Sequence, residues 1–352
     1  MRTYEVIERI DAFCDAVPRR RARADEHGPL VLFVPTGPGW PYYARPRPGA
    51  RSRIAAADIR VVRARQRELI IPESFEWIEQ TAPEMAVAAA EAGLEVQPHP
   101  LMMLSAAPTA LAASALPAGV TVRAVTPEDP ELDRIWAVPA VAFGHPGTAT
   151  GETGPVERDK IAADHDGGTI EMLRERLRSG HSVLAAAFGP DGPLAAGSCQ
   201  AVDGVAEITG VGVLPSSRRQ GLGAAITALL ARDALDRGVN TVFLSASDSA
   251  VARIYARTGF REIGRRLAPE LALLPIGAYN PPSFRNVHAN PADATRAFLD
   301  LNARWMVPMH YGTFKLSHEP MDEPLQLLEK EARAAGIQDR VLVLQEGMTR
   351  FF

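Results

Sequence analysis

Cysteine is almost missing from this chain. Cys14 and Cys199 are the two thiols in 352 residues. They sit at no metal-binding or redox spacing, so a disulfide framework is excluded and both read as reduced, buried thiols of a cytoplasmic protein. An excess of either charge is missing too. Lysine and arginine (38) nearly balance aspartate and glutamate (42), for a net charge of −4, which gives no global pull toward nucleic acid or membrane. The one basic run, Pro18 to Ala24, reads as a solvated surface turn. The uncharged stretch Leu101 to Val122 is long enough for a bilayer, but Pro108 and Pro117 interrupt any helix there, so it reads as a linker. The N-terminus is amphipathic and charged, unlike a signal peptide. No His-x-His occurs among the eight histidines. His165, Asp166 and His181 have no Gly-x-Ser-x-Gly nucleophile nearby and read as surface groups.

What is present is a globular composition, 46% hydrophobic and 23% charged, in a chain long enough for two or three domains. Signals of three kinds converge on Glu207 to Gly223. Glu207 to Leu214 is strand-like, Pro215 breaks it, Arg218-Arg219-Gln220-Gly221-Leu222-Gly223-Ala224 follows, and Ile226 to Arg237 carries apolar residues at helical spacing. Gly221, Gly223 and Ala224 leave room for a ligand against the backbone. The first helical N–H groups and the positive end of the helix dipole suit an anion there, with Arg218 and Arg219 at the rim. A diphosphate is the natural occupant. Downstream, Thr241 to Ser247 reads as a strand, and Asp248 to Phe260 as a helix capped by Asp248 and ended by Gly259.

These two motifs, in this order, resemble the GNAT acetyltransferase superfamily over roughly residues 119–266. Arg218 to Gly223 looks like its Q/R-x-x-G-x-G/A acyl-CoA loop, and Tyr255 to Phe260 like its Tyr-x-x-x-Gly-Phe ending, with Asp248 where the family usually has Asn. The resemblance implies an α+β fold, a mixed and mostly antiparallel sheet flanked by helices. It also implies acetyl-CoA as co-substrate, with Val211, Gly212, Val213 and Leu214 gripping the pantetheine arm. Arg218, Arg219, Gln220, Gly221, Leu222, Gly223 and Ala224 would hold the diphosphate, and Asp248 would lie beside the cofactor. Glu207 stands where some members place a catalytic glutamate; a strand-edge carboxylate facing solvent is the plainer alternative. Tyr255 stands where the family has a general-acid tyrosine, against the alternative of an aromatic packed under the helix.

Around that core, residues 1–105 read as a degenerate GNAT-like domain without an acyl-CoA loop. A helix is expected at Tyr4 to Ala16, strands at Leu30 to Val34 and Ile59 to Ala64, and a helix at Pro83 to Gly93. Residues 106–118 form an Ala/Pro-rich linker. In 119–266 the expected order is a strand at Val120 to Ala124, a helix after a Thr126 cap, and a polar loop from Ala142 to Asp159 in which His145 could touch an acceptor. A helix at Thr169 to Ser179 and a hairpin of Ser182 to Phe188 with Leu194 to Ala201 follow.

Residues 267–352 resemble the C-terminal part of metallo-β-lactamase-fold hydrolases of the N-acylphosphatidylethanolamine phospholipase D type, an α/β fragment. Pro308-Met-His310-Tyr-Gly-Thr-Phe314 is similar to a family segment whose His is a zinc ligand, and His288 to a second, non-ligand His. Without the upstream histidine cluster no metal is expected, and His310 is a vestigial ligand at most. Gly259 to Gly264 suits both families, as a fusion point would. Leu271 to Leu274 is expected to pair antiparallel with Phe260 to Arg265 and so complete the acetyltransferase sheet.

The sequence therefore points to an N-acetyltransferase acting on a small-molecule or peptide amine, with no nucleic-acid or membrane partner and compatible with a homodimer. The alternatives are a zinc-dependent hydrolase and a non-catalytic acyl-CoA sensor.

Overall fold

In the computed structural model, residues 3–37, 42–50, 53–105, 116–164, 167–263, 269–301, 303–315, 317–345 and 347–349 are described. Contacts divide the chain into two units, Met1–Glu262 and Ile263–Phe352.

The first unit opens with α1 (Thr3–Arg19), whose Val6, Ile7, Ile10, Phe13 and Val17 recur at helical spacing and are buried. A three-stranded antiparallel sheet follows, β1 (Ala22–His27), β2 (Leu30–Pro35) and β3 (Arg45–Pro46), in the order β1-β2-β3. Next come α2 (Ala56–Glu68) and α3 (Met85–Glu91), which close a small core over Leu30 and Leu32. The strand expected at Ile59 to Ala64 is thus a helix. Its β-branched run misleads, because Ile59, Val62 and Gln66 are buried at spacings of three and four, and the Asp58 carboxylate accepts the Ala55 N–H to start the helix.

The main sheet has seven strands. They are β4 (Leu101–Leu104), β5 (Thr121–Ala124), β6 (Ser182–Gly189), β7 (Gly192–Val202), β8 (Val205–Val213), β9 (Thr241–Ser245) and β10 (Phe260–Glu262), arranged β10-β4-β9-β8-β7-β6-β5. Only β8 and β9 run parallel. The helices are α4 (Leu132–Phe143), α5 (Pro155–Ala163), α6 (Gly167–Arg178), α7 (Leu222–Asp236) and α8 (Ser249–Ala256). Side chains alternate across the sheet: Ala206 and Ile208 join the α7 core, while Ala196 and Leu214 join the core under α4 and α6.

Two expectations in this stretch are corrected. Thr126 caps no described helix: Asp129 precedes Pro130, which disfavours helical geometry there, and α4 begins at Leu132 after Glu131. The expected loop from Ala142 to Asp159 is shorter, since α4 runs to Phe143 and α5 starts at Pro155.

A larger correction concerns the stretch from Leu101 to Val122, which is not linker throughout because it opens with β4 and runs into β5, while 106–115 of the expected linker lie outside the described residues; the sheet's end changes with it. β4 fills the slot between β9 and β10, antiparallel to both, with Met102 opposite Leu244 and Glu262. The stretch Leu271 to Leu274 belongs to β11 (Leu271–Pro275), which pairs in parallel with β12 (Trp305–Met309) across α9 (Pro291–Leu301). A strand–helix–strand run favours that parallel pairing, which needs a long crossover. α10 (Glu323–Ala334) completes the second unit, with Phe298, Met306 and Leu328 in its core. No described helix is long and apolar enough to cross a membrane.

Candidate active site

The site begins as a fault in the pairing of β8. Between β7 and β8 the register shifts so that Thr209 faces Ser198 and Gly212 faces Ala196, leaving Gly210 and Val211 opposite one residue. Gly210 takes φ +65, the left-handed bulge position that favours glycine. On the other edge, β8 and β9 are in register from Val205–Thr241 to Glu207–Phe243 and no further. Beyond that pair the two parallel strands part, and Glu207 sits at the apex of the opening.

The base of the opening leads to the expected turn. A short 3-10 turn at Pro215–Ser217 precedes Arg219 at φ +63 and Gly221 at φ +78, and α7 starts at Leu222. The first helical bond here is Ala225 N–H to Gly221 O, so the amides of Leu222, Gly223 and Ala224 lie before it, at the positive end of the dipole. A Cβ on Gly223 would meet Val213 Cγ2 at 3.5 Å and Val211 Cγ1 at 3.9 Å, which places the turn directly against the end of β8. Arg219 and Gln220 are exposed at its tip.

Other expected site residues have structural duties. The Arg218 guanidinium donates to the carbonyls of Ala142 (3.0 Å), His145 (2.5 Å), Ala149 (3.1 Å) and Val213 (3.3 Å), so it staples the loop after α4 to β8. Leu222 is 1% exposed and offers a ligand only its backbone. A Cβ on Gly212 would stand 2.9 Å from Ala142 Cβ and 3.1 Å from Pro139 Cα, so this glycine admits α4 to the strand. The Leu214 amide is taken by Leu194 O (2.9 Å). Asp248 accepts from the amides of Ala250 (2.7 Å) and Val251 (2.9 Å), capping α8, and these bonds hold its pKa low. His145 binds Val141 O (3.0 Å) and Thr153 Oγ1 (3.1 Å). His165 and Asp166 lie outside the described residues.

Glu207 points away from α7, toward α1 and the N-terminal strands, and is half-buried. Burial pushes its pKa up to about 8; Glu76 raises it further and Arg45 opposes the rise. Arg45 is buried, paired with Asp11, and its Nε has no partner among the described residues. Glu76 is raised by burial, against Arg45 and His99. The Cys14 thiol on α1 is pushed up to about 12 by burial and stays protonated; it is half-buried, whereas Cys199 is buried. Sequence reasoning missed Arg45, Glu76 and Asp11, which lie far apart along the chain in a strand, a loop and a helix and carry no shared local signal. Tyr255 on α8 is 8% exposed, with its ring 6.4 Å from Phe260, and burial raises it to about 12.

In the second unit His310, at φ +62, stacks on His288 with ring centroids 5.5 Å apart and planes 4° apart. Glu319 is spent on the amides of Ala278 (2.6 Å), Tyr279 (3.3 Å) and Asn280 (3.0 Å). Among the described residues no three His, Cys, Asp or Glu side chains gather as a metal site. This donor set does not fit a catalytic zinc, which takes about three protein ligands.

Comparison with known proteins gives a family match to Acetyltransferase (GNAT) over residues 156–260. An uncharacterized protein of Mycobacterium tuberculosis is 44% identical over 73 residues, 20% of this chain and 19% of that protein. The mitochondrial N-acyl-phosphatidylethanolamine-hydrolyzing phospholipase D of Saccharomyces cerevisiae is 34% identical over 116 residues, 32% of this chain and 24% of that enzyme. This chain therefore spans about a fifth to a quarter of the length of these two relatives. Among solved structures, a GCN5-related N-acetyltransferase from Kribbella flavida is 24% identical, with a TM-score of 0.48, covering 73% of this chain and 91% of that one. Residues 156–260 are thus a domain of the acetyltransferase (GNAT) family, in a chain that is also similar to metallo-β-lactamase-fold hydrolases of the phospholipase D type.

Proposed function

We propose that the first unit transfers an acetyl group from acetyl-CoA to an amine by direct attack on the thioester. The carrying observation is the parting of β8 and β9 at Glu207–Phe243, with a left-handed glycine turn beyond the far end of β8 that opens α7. The diphosphate lies on the amides of Leu222, Gly223 and Ala224, with Arg219 and Gln220 at the rim. The pantetheine arm enters between the strands along Val211 to Val213.

The chemistry asks for a base first. An alkylamine with a pKa near 10.4 is mostly protonated at pH 7, and removing that proton costs about 4.6 kcal/mol. Glu207, raised toward the working pH, accepts it directly or through one water, which is worth roughly 10² to 10⁴ in rate. The freed nitrogen attacks the carbonyl carbon, the C–N bond forms, the C–S bond breaks, and the nitrogen's second proton is released to solvent, from which the Tyr255 phenol is restored after it has protonated the thiolate. Tyr255 is the donor to the departing thiolate. Burial keeps it protonated at neutral pH, and it gives up that proton only to a thiolate that is itself desolvated.

In this reading the second unit adds no metal chemistry. The test is calorimetry with acetyl-CoA, followed by thiol release against a panel of amines and zinc analysis of the purified protein. Uptake of acetyl-CoA with amine-dependent thiol release is expected. An absence of uptake overturns the transferase, and stoichiometric zinc with hydrolysis of a phosphodiester installs the rival hydrolase.

A further inference from the structure

The face of the main sheet that carries Glu207 continues sideways into a cavity. Cross-strand pairing sets Ser182 beside Gln200 and Gln200 beside Glu207, so these three side chains form one row on that face. Ser182 and Gln200 line a cavity of about 410 Å³, and the ends of α1 and α6 supply its other walls. That volume suits a small molecule.

The cavity is strongly cationic. Arg20, Arg21 and Arg176 line it, together with Tyr42 and, on its exposed side, His181; Glu175 is the one acid in the lining among the described residues. None of the three arginines is ion-paired with a carboxylate among the described residues. Arg176 rests on the Ser182 hydroxyl (2.9 and 3.1 Å), and Arg20 reaches only Ala201 O at 3.4 Å. Burial of Arg176 and the nearness of Arg21 both disfavour its charge, so an anion placed between them relieves a standing cost. Arginine also fits carboxylate and phosphate oxygens two at a time.

Resting on the acetyltransferase reading, we propose that the acceptor is an amine that also carries an anionic group, a carboxylate or a phosphate. Arg20, Arg21 and Arg176 hold that group in the cavity while the amine lies along the Ser182–Gln200–Glu207 row at the base. Two strand spacings separate Ser182 from Glu207, about 10 Å. An extended ω-amino acid or aminoalkyl phosphate spans this distance, whereas an α-amino acid cannot place both ends at once.

The experiment compares 6-aminohexanoate, 6-aminohexyl phosphate, hexylamine and glycine as acceptors with acetyl-CoA. A preference in kcat/KM of tenfold or more for at least one of the two long anionic amines over hexylamine and glycine is expected, and which of the two leads identifies the anion. In Arg176→Ala and in the Arg21→Ala, Arg176→Ala pair that preference should collapse through KM, with partial retention in Arg176→Lys. Equal use of hexylamine by the wild-type protein overturns the proposal and leaves the transferase intact; that comparison needs no variant to fold. Calorimetric titration of both anionic amines into the full-length protein decides the cavity even if no amine is turned over. Binding weakened tenfold in Arg176→Ala supports the clamp, and no binding of either anion removes it. Failure of acetyl-CoA uptake, read separately, sinks the transferase alone.

Discussion

In the proposed transfer, Glu207 concentrates the chemistry and the pH behaviour in one side chain. With its pKa near 8, the rate should climb through that pH and level off above it. Glu207→Gln should lose roughly 10² to 10⁴ in kcat and flatten that limb, as measured by thiol release from pH 6 to 10. A variant with wild-type rates and the same limb would remove the base assignment. The same shift has a stability consequence with a definite sign. Between the ordinary 4.5 and about 8, the folded chain keeps a proton that the unfolded chain has released, so stability falls as pH rises through that window. Glu207→Gln lacks this slope. Thermal melts of the two proteins should therefore converge near pH 4.5 and separate above pH 8, with the variant the more stable by a few kcal/mol. The left-handed glycine turn before α7 and the Asp248 cap were readable in sequence because glycine and aspartate act within three or four residues of themselves. Arg45, Glu76 and the arginine cavity were not readable. Arg20 and Arg21 sit in a run that looks like a solvated turn, and only the cavity they line in the folded chain gives them Arg176 for company.

At the scale of elements, β4 is the piece on which the sheet depends. Its backbone pairs with β9 on one side and β10 on the other, and Met102 is 2% exposed within the α7 core. Met102→Ala should cost roughly 2 to 5 kcal/mol in a denaturant titration. A fragment confined to 116–262 leaves β9 and β10 with facing unpaired edges, and should be recovered as an aggregate or an uncooperative globule. A sharp melting transition from that fragment would show the strand to be dispensable. Hairpins and helices of this chain could be read from periodicity and turn glycines, as β6, β7 and α7 illustrate. The partner of β10 could not. Leu101–Leu104 and Leu271–Pro275 are both short apolar runs, and sequence alone offers no means to choose between them. What decides is the α9 crossover, which commits β11 to β12.

The whole molecule divides after Glu262. Because β4 already closes the main sheet, a chain ending at Glu262 should melt cooperatively and still take up acetyl-CoA, as followed by calorimetry and circular dichroism; loss of the cooperative transition would show that residues 263–352 support the first unit. The second unit keeps its own parallel strand pair, helices and buried Phe298.

Placing β4 between β9 and β10 also sets a timetable for synthesis. Leu101–Leu104 leaves the ribosome long before either neighbour exists, and must stay unpaired until Thr241–Ser245 and Phe260–Glu262 follow. The sheet therefore closes as a late, long-range event, and a stop between Leu104 and Thr241 releases a chain with a bare apolar strand for chaperones to shield.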